Sequence, residues 1–371
     1  MMSIIKIVFS VIGFVLLLNF LTPQFDFLLK RSIKNQISYL EDKFEKRLGN
    51  QLQKQYPEGE LFSNLIFALS IIEYSEYKNG LSPEIVEKLI FTSVSDEAKL
   101  NYRKNLPLPY GAFYNGWINY TLKKYIESDL IKNSINKERV FELYQEISDR
   151  IVLSQSESVQ LLETYPNSIW PADNMVCIAS LDKTHEHLKR EWLTKIRQQS
   201  KDTLINHYGR NLGEIRGSSQ ALINYFLIEI DSTSAKNAHQ EYKERFEDRI
   251  LGISFIKEYE SYENAPDIDS GPIILGYGSV STIMNSKLKS RLKEKGYATT
   301  FGFLNTLGLP INLFGKKYYL FGQEPMFDIF MLWNSVGILK KQVNKEIIFR
   351  DERDTDKLPI NSFYSGSVCA I

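Results

Sequence analysis

Two kinds of helix-length segment alternate along this chain. Residues 33–56 are charged and amphipathic, with Ile37, Leu40 and Phe44 spaced three or four residues apart on one helical face. Residues 61–72, by contrast, are apolar almost all round. A helix with a single apolar stripe lies at a surface, whereas a helix that is apolar on every side is enclosed by other elements. The pattern therefore predicts outer and inner helices that alternate along the chain.

Six short polar and aromatic motifs, spaced at intervals of about fifty residues, introduce the apolar segments. They occupy residues 56–60, 110–117, 170–174, 216–220, 267–272 and 322–325. Proline is tolerated in the first turn of a helix because its missing N–H would have no intrahelical partner there, so Pro171, Pro272 and Pro325 mark three helix starts. The sequence predicts an all-α fold of six helical hairpins closed into an (α/α)6 toroid, with one domain over residues 25–371.

Two stretches interrupt the helical pattern or contain many glycines. Residues 311–321 predict a two-stranded β-hairpin with a turn that contains glycine, inserted over one mouth of the ring. Residues 276–279, Gly-Tyr-Gly-Ser, fall in a segment that we predict to be helical and that no strand precedes. A dinucleotide or phosphate loop requires that preceding strand. We therefore expect no cofactor.

The amino-terminal segment is apolar over residues 3–21. A helix needs about 20 mostly apolar residues to cross a bilayer, so this segment is long enough. A cleaved signal peptide is the alternative, but residues 19–25 offer no pair of small residues for cleavage. We predict a single-pass transmembrane anchor at residues 1–24. Lysine and arginine occur on both sides of it, so the side of the membrane that holds the domain is left open.

Composition excludes several classes of function. The 371 residues carry 45 Lys+Arg and 45 Asp+Glu, without a run of like charges, so nucleic-acid binding is not expected. The chain has two cysteines, too few for a disulfide framework. His185 and His187 are two residues apart and would point to different faces of a helix, so no metal site is expected. The oligomeric state is left open.

The six motifs predict a common site. If the inner helices run parallel, their amino-terminal ends gather at one rim, where free N–H groups and the helix dipole favour anionic ligands or developing negative charge. Carboxylate pairs flanked by aromatic rings are typical of enzymes that cleave glycosidic bonds. The candidate catalytic residues are Glu58, Asp173 and Asp269. The candidate substrate-binding residues are Tyr114, Asn115, Trp117, Trp170, Asn174, Arg216, Asp267 and Glu324.

Structural roles remain open for the same residues. An acidic residue such as Glu58 or Asp173 is favourable near a helix start for dipole and capping reasons alone. Trp117 and Tyr114 can equally be core aromatics. Arg216 enters an apolar helix, so it needs a carboxylate partner, which would be a bound ligand or else Asp267 or Asp269.

The predicted architecture resembles the (α/α)6 toroids, a fold shared by glycosidases, uronic-acid lyases and sugar epimerases. The resemblance covers residues 33–345. More locally, residues 113–119, 171–174 and 269–272 are similar in order to motifs of the linalool dehydratase/isomerase family, which has the same fold. That resemblance implies addition and removal of water by Asp, Tyr, His and Cys groups. Here Cys177 is the cysteine near the rim, and Trp117 stands near the place of the histidine.

Three functional hypotheses follow. The first is a membrane-anchored enzyme that acts on a carbohydrate or envelope glycan by carboxylate acid–base chemistry, as a hydrolase or lyase. The second is a non-catalytic toroid of the cell envelope that binds a glycan or other small-molecule ligand, a lipid-linked precursor or a partner protein. The third is a lyase of the dehydratase/isomerase type, in which Cys177 takes part.

Overall fold

Helices make up most of the computed structural model, which describes residues 2–78, 80–156, 160–198, 203–209, 214–261 and 270–339. The α-helices are α1 (Met2–Leu21), α2 (Asp26–Glu45), α3 (Leu48–Gln53), α4 (Gly59–Ser75), α5 (Glu84–Ser93), α6 (Asp96–Lys99), α7 (Gly111–Glu127), α8 (Lys137–Ser156), α9 (Pro171–Ser180), α10 (Glu186–Gln198), α11 (Gly217–Leu227), α12 (Ser232–Phe246), α13 (Ser279–Arg291), α14 (Tyr297–Leu307) and α15 (Pro325–Leu339). The prediction of an all-α class is confirmed.

Small antiparallel hairpins supplement the helices. Strand β1 (Glu247–Ile250) pairs with β2 (Ile253–Ile256), β3 (Ile273–Ile274) pairs with β4 (Tyr277–Gly278), and β5 (Ile311–Leu313) pairs with β6 (Lys316–Tyr318). The third of these is the hairpin that the sequence predicts within residues 311–321.

Two helix predictions are wrong in detail. Residues 276–279 are not helical throughout, because Gly276 has a positive φ of 83° in the turn between β3 and β4, and α13 begins only at Ser279. Pro272 therefore does not start a helix. The long amphipathic segment 33–56 is divided, because Arg47 adopts a left-handed conformation between α2 and α3.

Six helices form the buried part of the fold. All residues of α9 are buried, as are most of α4, α7, α11 and α13, whereas α2, α8 and α12 bury one side. Helix α7 contacts α4 and α9, and α11 contacts α9 and α13. Asn334 of α15 donates to the Ile283 carbonyl of α13 (3.1 Å), and Phe330 of α15 contacts Phe62 of α4. The buried helices thus contact one another in chain order, and the last contacts the first.

Charged side chains connect the carboxyl-terminal halves of these six helices. Lys123 Nζ donates to the Ala179 carbonyl at the end of α9 (2.9 Å). Cations are favoured at helix carboxyl termini by the helix dipole. The connected groups are Lys123 and Lys124 of α7, Glu229 after α11 and Arg291 of α13, together with Lys287 of α13, Glu73 of α4 and Trp333 of α15. These contacts link the carboxyl-terminal halves of the buried helices to one another.

Helix α1 contacts the rest of the protein through its carboxyl end. Asn305 Nδ2 of α14 donates to the Asn19 carbonyl (2.7 Å), whereas residues 14–18 are exposed. Within the described residues, no single helix is both long enough and apolar enough to cross a bilayer. The segments Phe9–Gln24 and Asp26–Glu45 meet these criteria of length and composition only when taken together, and the chain bends by 98° between them. The transmembrane anchor and the domain boundary at residue 24 stay predictions.

Candidate functional site

The loop before α9 is fixed by two of the predicted motifs. Asn174 Nδ2 donates to the Leu162 carbonyl (2.9 Å), and the Leu162 N–H donates to Asn174 Oδ1 (2.6 Å). Gly111 begins α7 with a φ of 82°, and a Cβ there would lie 2.1 Å from the Thr164 carbonyl oxygen. Only glycine allows this approach. The start of α7 and Asn174 of α9 therefore hold Thr164 in place beside Asp173.

Asp173 lies in the first turn of α9 and is almost completely buried. Its Oδ2 accepts a hydrogen bond from Thr164 Oγ1 at 2.6 Å. Cys177 lies one turn further along the helix, and its Sγ contacts the Ala112 carbonyl oxygen at 3.0 Å. Burial raises the pKa of the Cys177 thiol well above its usual value, and the nearby Asp173 carboxylate adds to this effect. The thiol is therefore protonated, so it is not a ready nucleophile.

Glu58 immediately precedes α4, but its carboxylate does not cap the helix. Instead it accepts a hydrogen bond from the Tyr165 hydroxyl. Burial raises the pKa of Tyr165, and the Glu58 charge raises it further. Tyr165 is thus a neutral donor held against a carboxylate.

Tyr102 contacts two other tyrosines of this region, with 5.0 Å between its ring centroid and that of Tyr114 and 6.3 Å to that of Tyr165. Its hydroxyl is buried and has no hydrogen-bond partner among the described residues. Burial raises the pKa of Tyr102 well above its usual value, and the charges of Glu58 and Asp173 contribute to the increase. Both carboxylates therefore act on the same phenol. We call Glu58, Tyr102, Tyr114, Tyr165 and Asp173 the acid–tyrosine cluster.

Partly exposed aromatic rings border this cluster. Tyr110 contacts the buried ring of Tyr114, with 5.3 Å between ring centroids. Trp170 lies between Tyr165 and Tyr208, at centroid distances of 6.0 and 5.9 Å. Aromatic faces of this kind pack against the apolar faces of sugars and other ring-shaped ligands. They give the acid–tyrosine cluster a partly exposed border.

A buried ion pair lies at the start of α11. Arg216 Nε donates to Glu258 Oε1 at 3.1 Å, and Ser218 Oγ donates to the same oxygen at 2.6 Å. Arg216 Nη1 lies 3.3 Å from His207 Nε2, and the His207 ring contacts Tyr208. We call Arg216, Glu258, His207 and Ser218 the arginine cluster. It is connected to the acid–tyrosine cluster through Tyr208 and Trp170.

The arginine cluster changes one expectation. The sequence offers Asp267, Asp269 or a ligand as the partner of Arg216, whereas the structure places Glu258 there. Asp267 and Asp269 lie outside the described residues, so their assignments stay predictions, as does an anionic ligand for Arg216.

The remaining candidate substrate-binding residues belong to neither the acid–tyrosine cluster nor the arginine cluster. Trp117 is fully buried, with its ring edge-on to Phe62 and Phe226. Asn115 Nδ2 donates to the Gly111 carbonyl (2.8 Å), which stabilises the first turn of α7. Glu324 is exposed just before α15. Among the described residues, no hydrogen bond, ion pair or ring contact joins Trp117 or Glu324 to the acid–tyrosine cluster.

Three residues of the two clusters belong to none of the six sequence motifs. Tyr102, Tyr165 and Glu258 fall in or next to irregular segments between helices, outside the six motifs. Tyr165 lies five residues before Trp170, and this proximity to a predicted motif is the one indication in the sequence that it belongs to the site. Glu258 follows an ordinary apolar strand, and its neighbours Lys257 and Tyr259 give no hint that its side chain is buried.

The described residues contain no group of three or more His, Cys, Asp or Glu side chains arranged to hold a metal ion. A surface depression lies elsewhere, on the exposed side of α10, and includes none of the site residues. The chemistry available in the clusters is proton transfer between carboxylates and neutral tyrosines. Comparison of the chain with protein-family models and with curated proteins finds no match.

Proposed function

We propose that this protein is a membrane-anchored enzyme of the (α/α)6-toroid type, acting on a carbohydrate or envelope glycan by acid–base chemistry. The toroid is supported by the six buried helices, which contact one another in chain order and from last to first. The gathered carboxyl ends, with their cations, support a common direction for these helices.

The single observation that carries the enzymatic proposal is the buried Tyr102 hydroxyl, which has no hydrogen-bond partner among the described residues and whose pKa is raised by burial and by the charges of Glu58 and Asp173. An unsatisfied buried hydroxyl costs free energy, so such groups call for a functional explanation. In the proposed reaction Glu58 or Asp173 takes a proton from the substrate or a water molecule. Tyr102 or Tyr165 donates a proton to the leaving oxygen. The rings of Trp170, Tyr110 and Tyr208 stack on the sugar.

The test is a comparison of turnover in single variants. The purified full chain is incubated with a panel of neutral and uronate-containing oligosaccharides, and new reducing ends are measured. Absorbance of a conjugated, unsaturated product separates elimination from hydrolysis. We expect Glu58→Gln, Asp173→Asn and Tyr102→Phe each to lower turnover by about 10²-fold or more, as loss of an acid–base group does. Tyr77→Phe, on the carboxyl side of α4, is the matched control.

Tyr102→Phe separates catalysis from folding. Since the variant removes a buried hydroxyl that has no partner among the described residues, we expect the free energy of unfolding to be unchanged or to rise by about 1 kcal/mol. A stable but inactive variant would support the proposal. Full activity in all three variants would contradict the site assignment, and binding of oligosaccharides without any product would favour the non-catalytic alternative.

A second candidate is a lyase of the dehydratase/isomerase type. It is favoured by the position of Cys177, whose thiol lies close enough to Asp173 for the carboxylate to raise its pKa. The two functions differ in what they require of this thiol. Loss of water elimination from an allylic alcohol in Cys177→Ala, with unchanged stability, would select the second candidate, whereas unchanged glycan turnover in that variant fits the first.

Attachment to the membrane is part of the proposal. Phe14, Val15, Leu16, Leu17 and Leu18 are all exposed on α1. Five consecutive helical positions cover the whole circumference at 3.6 residues per turn, so the segment of α1 from Phe14 to Leu18 is apolar and exposed on every side. Such a helix is expected to be enclosed by hydrocarbon.

A further inference from the structure

The three hairpins present an exposed apolar side chain at the same turn position. In each turn both central residues have positive φ, which identifies a type I′ turn. The turns are Leu251-Gly252 with φ of 52° and 81°, Leu275-Gly276 with 53° and 83°, and Phe314-Gly315 with 51° and 75°. Leu251, Leu275 and Phe314 are 95%, 78% and 99% exposed.

Folding does not account for these three residues. The first position of a type I′ turn favours Asn, Asp or Gly, because other residues are strained at positive φ. Leucine and phenylalanine are disfavoured there, and at this exposure they gain no packing in return. Their shared property is that each carries apolar surface into the solvent at the tip of a rigid turn.

The hairpins and α1 surround one helix, α14. Phe303 of α14 contacts Phe255 of β2, with 5.2 Å between ring centroids, and Phe255 contacts Tyr277 of β4 at 5.4 Å. The β5–β6 hairpin follows α14 directly in the chain. Asn305, near the end of α14, donates to the Asn19 carbonyl of α1. Lys317 of β6 also donates to Asn305 Oδ1, so the three hairpins and the end of α1 all neighbour α14.

The distribution of exposed apolar residues along the chain indicates what covers the three exposed turn residues. Between residues 28 and 249, large exposed hydrophobic side chains are scattered singly, such as Leu100 and Ile135, whereas they recur at each hairpin from residue 250 onward. A protein groove would cover one face of an apolar helix. Because residues 14–18 of α1 are exposed on every side of the helix, a bilayer fits this segment, and the same bilayer would reach the neighbouring turns.

We propose that Leu251, Leu275 and Phe314 insert into the headgroup–acyl boundary of the bilayer that α1 enters, so that the protein rests on the membrane around α14. This inference depends on the membrane attachment proposed above. Insertion of the three turn residues would give the protein a second, peripheral contact with the membrane, and this contact would fix the orientation of the domain.

Quenching of site-specific fluorescent probes by spin-labelled lipids tests the attachment by α1 and the insertion of the three turns separately. In a Cys369→Ser background, Leu251→Cys, Leu275→Cys, Phe314→Cys, Phe14→Cys and Ile135→Cys are each labelled with an environment-sensitive fluorophore. Cys177 is buried and is not expected to react in the folded protein. The full chain is reconstituted in phosphatidylcholine–phosphatidylglycerol vesicles that contain spin-labelled lipids. Phe14 reports on α1, and Ile135 is a 94% exposed control far from the hairpins in the chain.

We expect quenching at Phe14 and at the three tips, and none at Ile135. Quenching at Phe14 alone would overturn this inference and leave the attachment by α1 intact. Loss of quenching at every position would overturn both proposals. Equal quenching at Ile135, or a tip signal that depends on protein concentration and not on lipid, would overturn the inference in favour of non-specific or self-association.

A triple variant guards against an effect on folding. Leu251→Asn, Leu275→Asn and Phe314→Asn introduce the residue that type I′ turns favour, so the unfolding temperature is expected to stay the same or rise. A probe at Leu313→Cys, next to the third turn, should be quenched by lipid when the three turns are native and should lose that quenching in the triple variant, while the probe at Phe14→Cys keeps it. A fall in unfolding temperature would show that the apolar tips serve folding instead.

Discussion

At the scale of single residues, the partner of Arg216 decides what that side chain does. Both Arg216 and Glu258 are buried, with side-chain exposures of 6% and 0%. Removal of one member of a buried pair leaves an uncompensated charge, so Arg216→Met is expected to lower the free energy of unfolding by about 3–5 kcal/mol. Denaturant titration measures the change. Lys195→Met, which breaks an exposed pair with Glu191, should cost less than about 1 kcal/mol.

The double variant Arg216→Met/Glu258→Gln provides the decisive comparison. If the two residues stabilise each other, the loss in the double variant is smaller than the sum of the single losses. Additive losses, or a negligible effect of Arg216→Met on stability, would instead indicate that Arg216 serves a bound anion.

Residue roles were less predictable than residue positions. Asp173 and Glu58 could be singled out because each precedes or begins an apolar helix, and both of their charges add to the effect of burial on the pKa of Tyr102. Tyr102 itself and Glu258 could not, because their burial is created by contacts between segments distant in sequence. Periodicity reports which face of an element is buried, but not which side chain of a loop is enclosed by its neighbours.

At the scale of elements, the close contact of α7 with α9 positions Asp173. A Cβ on Gly116 would lie 2.9 Å from the Cys177 backbone nitrogen and 3.0 Å from its Sγ. Backbone cannot move aside without shifting α9, so Gly116→Ala is expected to cost about 1–3 kcal/mol of unfolding free energy. It should also lower activity, because Asp173 moves with its helix.

Gly13→Ala in α1 is the matched control for Gly116→Ala. A Cβ there would meet no atom of the described residues within 4 Å. Alanine favours a helix by about 1 kcal/mol over glycine, so the free energy of unfolding should stay the same or rise. Equal destabilisation by the two substitutions in denaturant titration would contradict the proposed role of the α7–α9 contact.

Helices were more predictable than the turns between them. Pro171 and Pro325 begin helices as expected, because proline fits the first turn. Pro272 does not, because the following residues form a hairpin around Gly276. The apolar character of residues 273–275 is compatible with a helix or a strand, and only the pairing with residues 277–278 decides between them.

At the scale of the whole molecule, a buried polar group joins the beginning and the end of the described chain. Lys317 Nζ of β6 donates to Ser32 Oγ of α2 (2.8 Å) and to Asn305 Oδ1 of α14 (2.9 Å). Gln36 of α2 donates to the Asp328 carbonyl of α15 (2.7 Å). The side chains of Lys317 and Asp328 are both buried, so the protonation of each affects how strongly these distant segments are held together.

The pH dependence of stability follows from these two groups. Burial lowers the pKa of Lys317 from 10.5 to about 7, although the Asp328 charge opposes the shift. Burial also raises the pKa of Asp328 from 3.8 to about 7, against the Tyr319 N–H and the charges of Lys317 and Lys43.

Asp328→Asn tests the acidic half of this pH dependence. Between pH 3.8 and about 7 the folded protein holds the Asp328 proton that the unfolded chain releases, so the contribution of Asp328 to stability falls as pH rises. Between about 7 and 10.5 the unfolded chain holds the Lys317 proton, so stability rises with pH. Asp328→Asn should therefore gain stability over the native protein as pH rises from 4 to 7, measured as the free energy of unfolding. Lys317→Met should flatten the alkaline slope instead, and parallel curves for all three proteins would contradict the assignment.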